Sequence, residues 1–466
     1  MPVLKSSSAL PSLAIAAFAA LTVAAQLVLL GTEPVLAPDS ASYLDWAAHR
    51  TLGYPLFLSL AGSTSDAVVL QIILAGACLL FLGSSARAFT GSTFAALAAM
   101  ALIAANPELA KYQASILTES IFVSLTMLIL AMLLRLLAKP AVRVPDVAAL
   151  SGAMGLAVAI RPPGLAFLPL LAILAVLLWP RVRARPLALA GAAILPALGI
   201  VASERLAASA LHSTPPVSMF ERTVFAKAGM LDAGPAPYPA GDPRRAVWED
   251  LDAQMSAARR LVAGAPGAAA RHYIAVNYEV YAQYHIDRSA AQAAAGALGQ
   301  RPGAILREVG LARIAAAPWA YLSLSAQHFA ALWRLYGASH PAAAPGIGRY
   351  LDAHRPLPLA GAGGVLDQPI APRAAALVIQ PAVLALGALS GLAIAWLLIA
   401  WLRGAASAPV MAAGLCALMV NGNFLLVALT NIGIPRYMLA MWPALMLMAV
   451  LLAVSVWRAW SARKWV

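Results

Sequence analysis

What most constrains this chain is a series of apolar runs of about twenty residues, the length that a helix rising about 1.5 Å per residue needs to cross a bilayer core of roughly 30 Å. About ten such runs are legible. They lie at 10–31, 67–86, a short one at 90–105, 115–134, 147–160, 164–179, 187–201, 374–401, 409–429 and 437–457. With 62% of its 466 residues hydrophobic and 11% charged, the chain is no ordinary soluble globule, in which about a quarter of residues are charged. The expectation is an all-α polytopic membrane protein with about ten, at most about twelve, transmembrane helices.

The net charge of +13 would suit a nucleic-acid partner if the basic residues formed a patch. They border the apolar runs instead, which is orientation chemistry. With a cytoplasmic amino terminus, Lys5, Arg87, Arg135, Lys139, Arg143, Arg181, Arg183, Arg185, Arg403, Arg458, Arg463 and Lys464 all fall inside, and both termini are cytoplasmic. Among the basic residues outside the large segment 204–373, the exceptions, Arg50, Lys111, Arg161 and Arg436, fall at the outer face together with Glu33, Asp39, Asp45, Asp66, Glu108 and Glu119. Ionisable groups at helix mouths are costly and usually have a partner or a task, so chemistry is expected at the outer face, which in a bacterial inner membrane is the periplasmic one. Val35-Leu36-Ala37 has the look of a leader cleavage site, but Pro38 would follow the cut and the preceding run is too long, so the first segment reads as a retained helix.

Three regions follow from composition: 1–203 with about seven helices, an extracytoplasmic insertion at 204–373 rich in Pro, Gly and charge, and 374–466 with about three helices. In the insertion, charged and apolar residues interleave at helical spacing over 244–261 and 268–297. A third run at 302–336 carries Trp319, Tyr321, Phe329, Trp333 and Tyr336, aromatics suited to a membrane interface. His272 and His328 lack a second spaced ligand and read as structural. The two cysteines, Cys78 and Cys416, lie inside apolar runs and offer neither a disulfide framework nor a metal-thiolate spacing.

Asp39 follows the first crossing closely, and the stretch after it, Tyr43-Leu44-Asp45-Trp46 and then Tyr54-Pro55-Leu56-Phe57, is amphipathic with interfacial aromatics. Short juxtamembrane helices that hold Asp39 at the lipid boundary are expected there. Asp39 in that setting is either a helix cap or a reactive carboxylate. Glu119 stands where a carboxylate either stabilises the start of the fourth crossing or does chemistry. Arg161, in Arg161-Pro162-Pro163-Gly164, and Arg436, before Tyr437, either snorkel to headgroups or bind an anion, since a guanidinium fork matches phosphate oxygens.

Taken together and in order, Pro38-Asp39-Ser40 with Tyr43-Leu44, the stretch from Arg50 to Phe57, Leu117-Thr118-Glu119-Ser120, Arg161-Pro162-Pro163-Gly164 and Pro435-Arg436-Tyr437 resemble the GT-C superfamily of integral-membrane glycosyltransferases. Within it the chain is similar to the bacterial branch related to protein O-mannosyltransferases and the lipid A aminoarabinose transferase. The resemblance implies transfer of a sugar, with inversion, from a polyprenyl-phosphate donor to an acceptor hydroxyl on a lipid, glycan or protein at the periplasmic face. It implies Asp39 as base on the acceptor and Glu119 as the second-loop acid. The same family reading, with the residue chemistry, puts Lys111, Arg161, Arg436 and Tyr437 on the donor phosphate and has Tyr43, Arg50 and Tyr54 position the loop or the acceptor. A divalent cation is left open, although Ser40 stands where some relatives have a second acid. The rival readings are a polyprenyl-linked glycan ligase and a lipid-linked sugar transporter or flippase. A transporter would place charge near the bilayer midplane, and the middles of these runs are nearly uncharged. There is no phosphate-loop or dinucleotide fingerprint.

Overall fold

The computed structural model describes residues 9–37, 39–178, 186–212, 217–265, 267–333, 373–404 and 406–463. Among them all regular structure is helical, apart from one isolated parallel bridge between Val35 and Ser115. The helices are α1 Ala9–Leu30, α2 Ser40–Leu44, α3 Gly53–Ala61, α4 Thr64–Thr90, α5 Thr93–Ala104, α6 Pro107–Ala114, α7 Thr118–Ala138, α8 Val144–Ile160, α9 Leu168–Leu178 and α10 Pro186–Leu211. They continue as α11 Met219–Gly229, α12 Pro243–Gly264, α13 Gly267–Tyr284, α14 Ser289–Leu298, α15 Pro302–Ala316, α16 Pro318–Leu332, α17 Arg373–Leu402, α18 Ala408–Thr430, α19 Pro435–Ala440 and α20 Trp442–Arg463.

The chain is an all-α, multi-pass membrane protein. Among the described residues seven helices are long and apolar enough to cross a bilayer: α1, α4, α7, α10, α17, α18 and α20. An eighth span results if α5 and α6, bent by 64° at their junction, count as one. The remaining apolar runs of the sequence are helical but short, α8 having 17 residues and α9 having 11. At about 1.5 Å per residue α8 is about 25 Å long, at the short end of what a bilayer core of roughly 30 Å asks for, and α9 continues from the helical turn Pro162–Phe167 up to the last described residue before 179. The basic positions Lys5, Arg181, Arg183, Arg185 and Lys464, together with Pro38 and Tyr336, lie outside the described residues.

The chain divides into two compact units, the first comprising Met1–Ser213, Leu386–Asn423 and Leu439–Val466, the second Thr214–Ala385 and Phe424–Met438. In the first unit α4 packs on α7 and on α1, α7 on α8, and α8 on α10. The α8–α10 pair is close because small residues meet: a Cβ on Gly155 would stand 2.8 Å from the Ala197 Cα. Pro196 interrupts the α10 ladder. Across from it, the buried Ser151 Oγ donates to the Ala193 carbonyl at 2.7 Å and accepts from the Ala197 N–H at 3.2 Å. Glu204, which composition places at the start of the insertion, lies inside α10.

The second unit is a helical cluster. Its core joins Phe225, Trp248, Leu251, Met255, Ile274, Tyr278, Ile305 and Val309, carried by α11, α12, α13 and α15. Ser218 and Glu221 form a reciprocal capping box that starts α11, and Asp242 accepts from the Arg244 N–H ahead of Pro243 to start α12. Arg313 is wholly buried, with hydrogen bonds to the Ala228, Leu231 and Trp248 carbonyls and an ion pair to Asp252 at 2.9 Å. The single helix expected over 268–297 is two, α13 and α14. They part at 285–288, where Asp287 takes hydrogen bonds from the Ser289 N–H and hydroxyl and so starts the second. The run expected over 302–336 is likewise two helices, α15 and α16, parted at Ala317 before Pro318.

Candidate functional site

Three connections of the first unit meet at one end of its bundle: the loop between α1 and α4 that carries α2 and α3, the junction of α6 and α7, and the turn after α8. Backbone hydrogen bonds seam the first two together, Val35 N–H to Ala114 O at 2.8 Å and Ile116 N–H to Val35 O at 3.1 Å. The Ser40 hydroxyl extends the seam by donating to the Ile116 carbonyl at 2.9 Å. Asp39 is thereby fixed beside the segment that leads into Glu119. On the other side α3 docks on the end of α8. The Thr51 hydroxyl donates to the Ile160 carbonyl at 3.0 Å, and a Cβ on Gly53 would stand 2.6 Å from the Ala159 carbonyl oxygen. Glu204 completes this dock by accepting from the Leu52 N–H at 3.0 Å, at the positive end of α3.

Asp39 precedes α2 but makes no side-chain cap there. The capping alternative fails because the carboxylate is spent elsewhere: Oδ1 accepts from Arg50 Nη2 at 2.6 Å. The same guanidinium donates to the Ser42 hydroxyl at 2.9 Å and to the Tyr43 phenol at 3.2 Å, and stacks 4.7 Å from the Tyr43 ring centroid. The chain folds Arg50 back through Trp46, at φ +51, in the left-handed region that a bulky residue enters only at a cost of about 1–2 kcal/mol. Strain of this kind is typically retained at functional sites.

Glu119 opens α7 and is buried. Its Oε1 pairs with Arg161 Nη2 at 2.9 Å, both side chains being under 10% exposed, and its Oε2 accepts from the Thr118 hydroxyl at 3.2 Å. Arg161 reaches it because Pro162 and Pro163 end α8 and hold Arg161 extended. The turn then folds back so tightly that a Cβ on Gly164 would stand 2.7 Å from the backbone of Ala157 and Val158. Asn423 secures the turn by donating to the Pro163 carbonyl at 3.1 Å.

Tyr43 joins the two ion pairs. Its buried phenol bonds Arg50 and the Thr118 side chain. Burial pushes its pKa above the usual range, with Glu119 and Asp39 adding to the rise and Arg50 opposing it. Tyr54 packs edge-on against Tyr43 at 5.2 Å, and its hydroxyl donates to Gln71 Oε1 at 2.8 Å. Gln71 in turn donates to the Gln113 and Ser115 carbonyls at 2.9 and 3.1 Å, which ties α4 to the seam.

Of the residues singled out by sequence, Asp39, Tyr43, Arg50, Tyr54, Glu119 and Arg161 therefore come together. Lys111 does not join them: it is half exposed on α6, ion-paired to Glu108 one turn earlier at 2.8 Å. Arg161 is buried, and its Nη2 pairs with Glu119. Arg436 and Tyr437 belong to the second unit, where the Arg436 guanidinium lies 5.8 Å from the Tyr437 ring and the Tyr437 hydroxyl accepts from Asn431 at 2.8 Å. Sequence reasoning gave no role to Thr118, which it quoted only as part of a motif, and passed over Gln71 and Glu204 as site residues. A lone glutamine in an apolar run was the available signal for Gln71. Among the described residues no three His, Cys, Asp or Glu side chains gather as a metal site, and each carboxylate of this cluster is matched by an arginine. The donor set does not fit a divalent cation.

No family model matches the chain, and no curated protein matches it. Among solved structures it is similar to ArnT from Cupriavidus metallidurans bound to undecaprenyl phosphate, at 14% identity and a TM-score of 0.36, over 90% of this chain and 77% of that one. A likeness at that level assigns no residue a role.

Proposed function

We propose that the chain is a membrane glycosyltransferase of the GT-C type, which transfers a sugar from a polyprenyl-phosphate donor to an acceptor hydroxyl, with inversion, at the periplasmic face of the inner membrane. The observation that supports this reading most is the pair of carboxylate–arginine contacts, Asp39–Arg50 and Glu119–Arg161, brought into one cluster by Tyr43 and Thr118. Short, order-dependent motif resemblance in the sequence points the same way.

In this reading Asp39, 22% exposed on its side chain, is the carboxylate that an acceptor hydroxyl reaches: it takes the hydroxyl proton as the oxygen attacks the anomeric carbon, while the anomeric C–O bond to the donor breaks and the polyprenyl phosphate leaves with its electron pair. Arg50 orients Asp39 through the 2.6 Å ion pair, and it is also the cation nearest the base. Glu119, only 2% exposed, is a positioning residue: with Arg161 it anchors the start of α7 under Tyr43. Inverting displacement needs no nucleophile from the enzyme. Lys111 leaves the donor-phosphate role, while Arg436 and Tyr437 retain it on the motif resemblance alone.

Replacing Asp39 by Asn is expected to lower kcat for sugar transfer in liposomes by about 10² to 10⁴, the range that a positioned base supplies, with membrane insertion and thermal stability retained. Wild-type turnover by D39N removes Asp39 from the base role. For orientation, a cysteine placed at Ser42 should react with a membrane-impermeant maleimide from the periplasmic side; labelling only after the membrane is opened reverses the topology.

A further inference from the structure

The second unit holds a polar network that the proposed reaction does not use. Lys227 of α11, His272 and Glu279 of α13, and His328 of α16 are all buried, at no more than 3% exposure. Lys227 Nζ lies 3.6 Å from Glu279 Oε2, and Glu279 Oε1 lies 2.6 Å from His328 Nε2. The His272 and His328 rings meet edge to face at 5.2 Å. These groups converge on one short stretch of backbone, the turn after α18. Lys227 donates to the Asn431 carbonyl at 2.8 Å, His272 Nε2 meets the Gly433 carbonyl at 3.1 Å, and the Gly433 N–H donates to His328 Nδ1 at 3.0 Å. Gly433 passes so close to the His328 backbone that no side chain fits there. Asn431 closes the turn by donating to the Tyr437 hydroxyl.

The hydrogen-bond directions set the protonation pattern. Nδ1 of His328 accepts from Gly433 and therefore carries no proton, so its one proton is on Nε2 and is donated to Glu279. His272 donates its Nε2 proton to the Gly433 carbonyl. Lys227 and Glu279 balance in charge while both imidazoles are neutral. A second proton on His328 would face the Gly433 N–H donor to donor and would add a charge beside Lys227. Burial and Lys227 disfavour that proton, and Glu279 favours it; the net direction is a pKa below the ordinary histidine value. An apolar core would hold these helices equally well. What the network adds is direction, because three of its members bond the backbone of residues 431 and 433.

We propose that Lys227, His272, Glu279 and His328 are positioning residues that lock the Asn431–Gly433 turn in register, so that Arg436 and Tyr437 are presented in one fixed arrangement, and that the lock holds only while His328 is neutral. For its effect on ligand binding the inference rests on the reading of Arg436 as a phosphate-binding group; for the order of the turn it does not.

The test uses the full-length protein in phosphatidylcholine nanodiscs, with hydrogen exchange of the amides at 431–437 corrected for intrinsic rates. In the wild type, protection is expected to be high at about pH 7.5 and lower by up to about tenfold at about pH 5.5, the most that one imidazole of open-state pKa about 6.5 can give. H328N, which keeps an acceptor and does not titrate, should keep protection at both values, and H328F should lose it at both. H328F with the wild-type profile, or a wild-type profile flat with pH, overturns the proposal. Should H328F fail to fold, the wild-type titration and H328N decide. A second arm measures binding of decaprenyl phosphate, expected to weaken about tenfold in R436A and in H328F, as loss of a charge-assisted contact implies. Unchanged binding in R436A beside a disordered turn in H328F overturns the phosphate role of Arg436 and supports the lock.

Discussion

At the scale of single residues, the two ion pairs of the first unit behave differently because their burial differs. Asp39 and Arg50 are 22% and 14% exposed on their side chains, whereas Glu119 and Arg161 are 2% and 7% exposed. Removing one partner of a buried pair strands the other charge at a cost of about 3–5 kcal/mol, while replacing both by apolar groups of similar volume is often nearly neutral. R161M and E119M are each expected to destabilise the protein by about that amount, and the double variant by clearly less than the sum, in denaturant titrations of the detergent-solubilised chain. Additive losses would show that the pair is not coupled. Both arginines were legible in sequence as charges at helix mouths, because charge there demands an explanation. Their partners were not: nothing in Arg161-Pro162-Pro163-Gly164 tells that the guanidinium turns back to Glu119, since that depends on the tight turn at Gly164.

At the scale of elements, the seam between the loop after α1 and the junction of α6 with α7 sets the position of Asp39, and the dock of α3 on α8 sets that of Arg50. Gly53 is the tightest point of that dock. G53A would drive a methyl into the Ala159 carbonyl at 2.6 Å, and α3 would have to move away. A displacement on the order of 1 Å at a reacting group costs up to about 10²-fold in rate, so G53A is expected to lower kcat far more than it lowers thermal stability. Activity like the wild type would show that α3 does not position the site. Helix existence was readable from apolar length and periodicity, as for α4, α7 and α18. Helix breaks were less so. The parting of α13 from α14 is made by the side chain of Asp287 in an alanine-rich stretch whose periodicity runs through it, and the short α2 and α3 owe their geometry to Ser40, Thr51 and Glu204, which bond partners far away in sequence.

At the scale of the whole molecule, the Asp39–Arg50 and Glu119–Arg161 cluster of the first unit was anticipated, whereas the Lys227–Glu279–His328 cluster of the second was not. His272 and His328 looked isolated because the residues that complete their network, Lys227, Glu279 and Gly433, are scattered over the sequence and meet only on folding. That network makes the stability of the second unit depend on pH. The carboxyl of Glu279 is held below its ordinary value by His328 and Lys227 against its burial, the His328 imidazole is lowered mainly by burial, and the Lys227 ammonium is lowered by burial against the pull of Glu279. A lowered pKa means that the unfolded chain binds the proton more readily, so between the folded and unfolded values each group makes stability rise with pH. The His328 contribution is fully present above the unfolded value of about 6.5 and is lost as pH falls from there toward the folded value; that of Glu279 is lost only further down, below about 4.5. Lys227 works in the same direction up to about pH 10.5 and so opposes folding at neutrality. Between about pH 7 and pH 5 the histidine step dominates, changing stability by at most about 1.4 kcal/mol per pH unit. Global protection of amides in α12 and α13 is accordingly expected to decline in the wild type over that interval, and to decline less in H328N, in which the titrating ring is gone. A wild-type unit that gains stability on acidification across the same range would mean that His328 is held charged in the fold, with Glu279 as the dominant influence on it rather than burial.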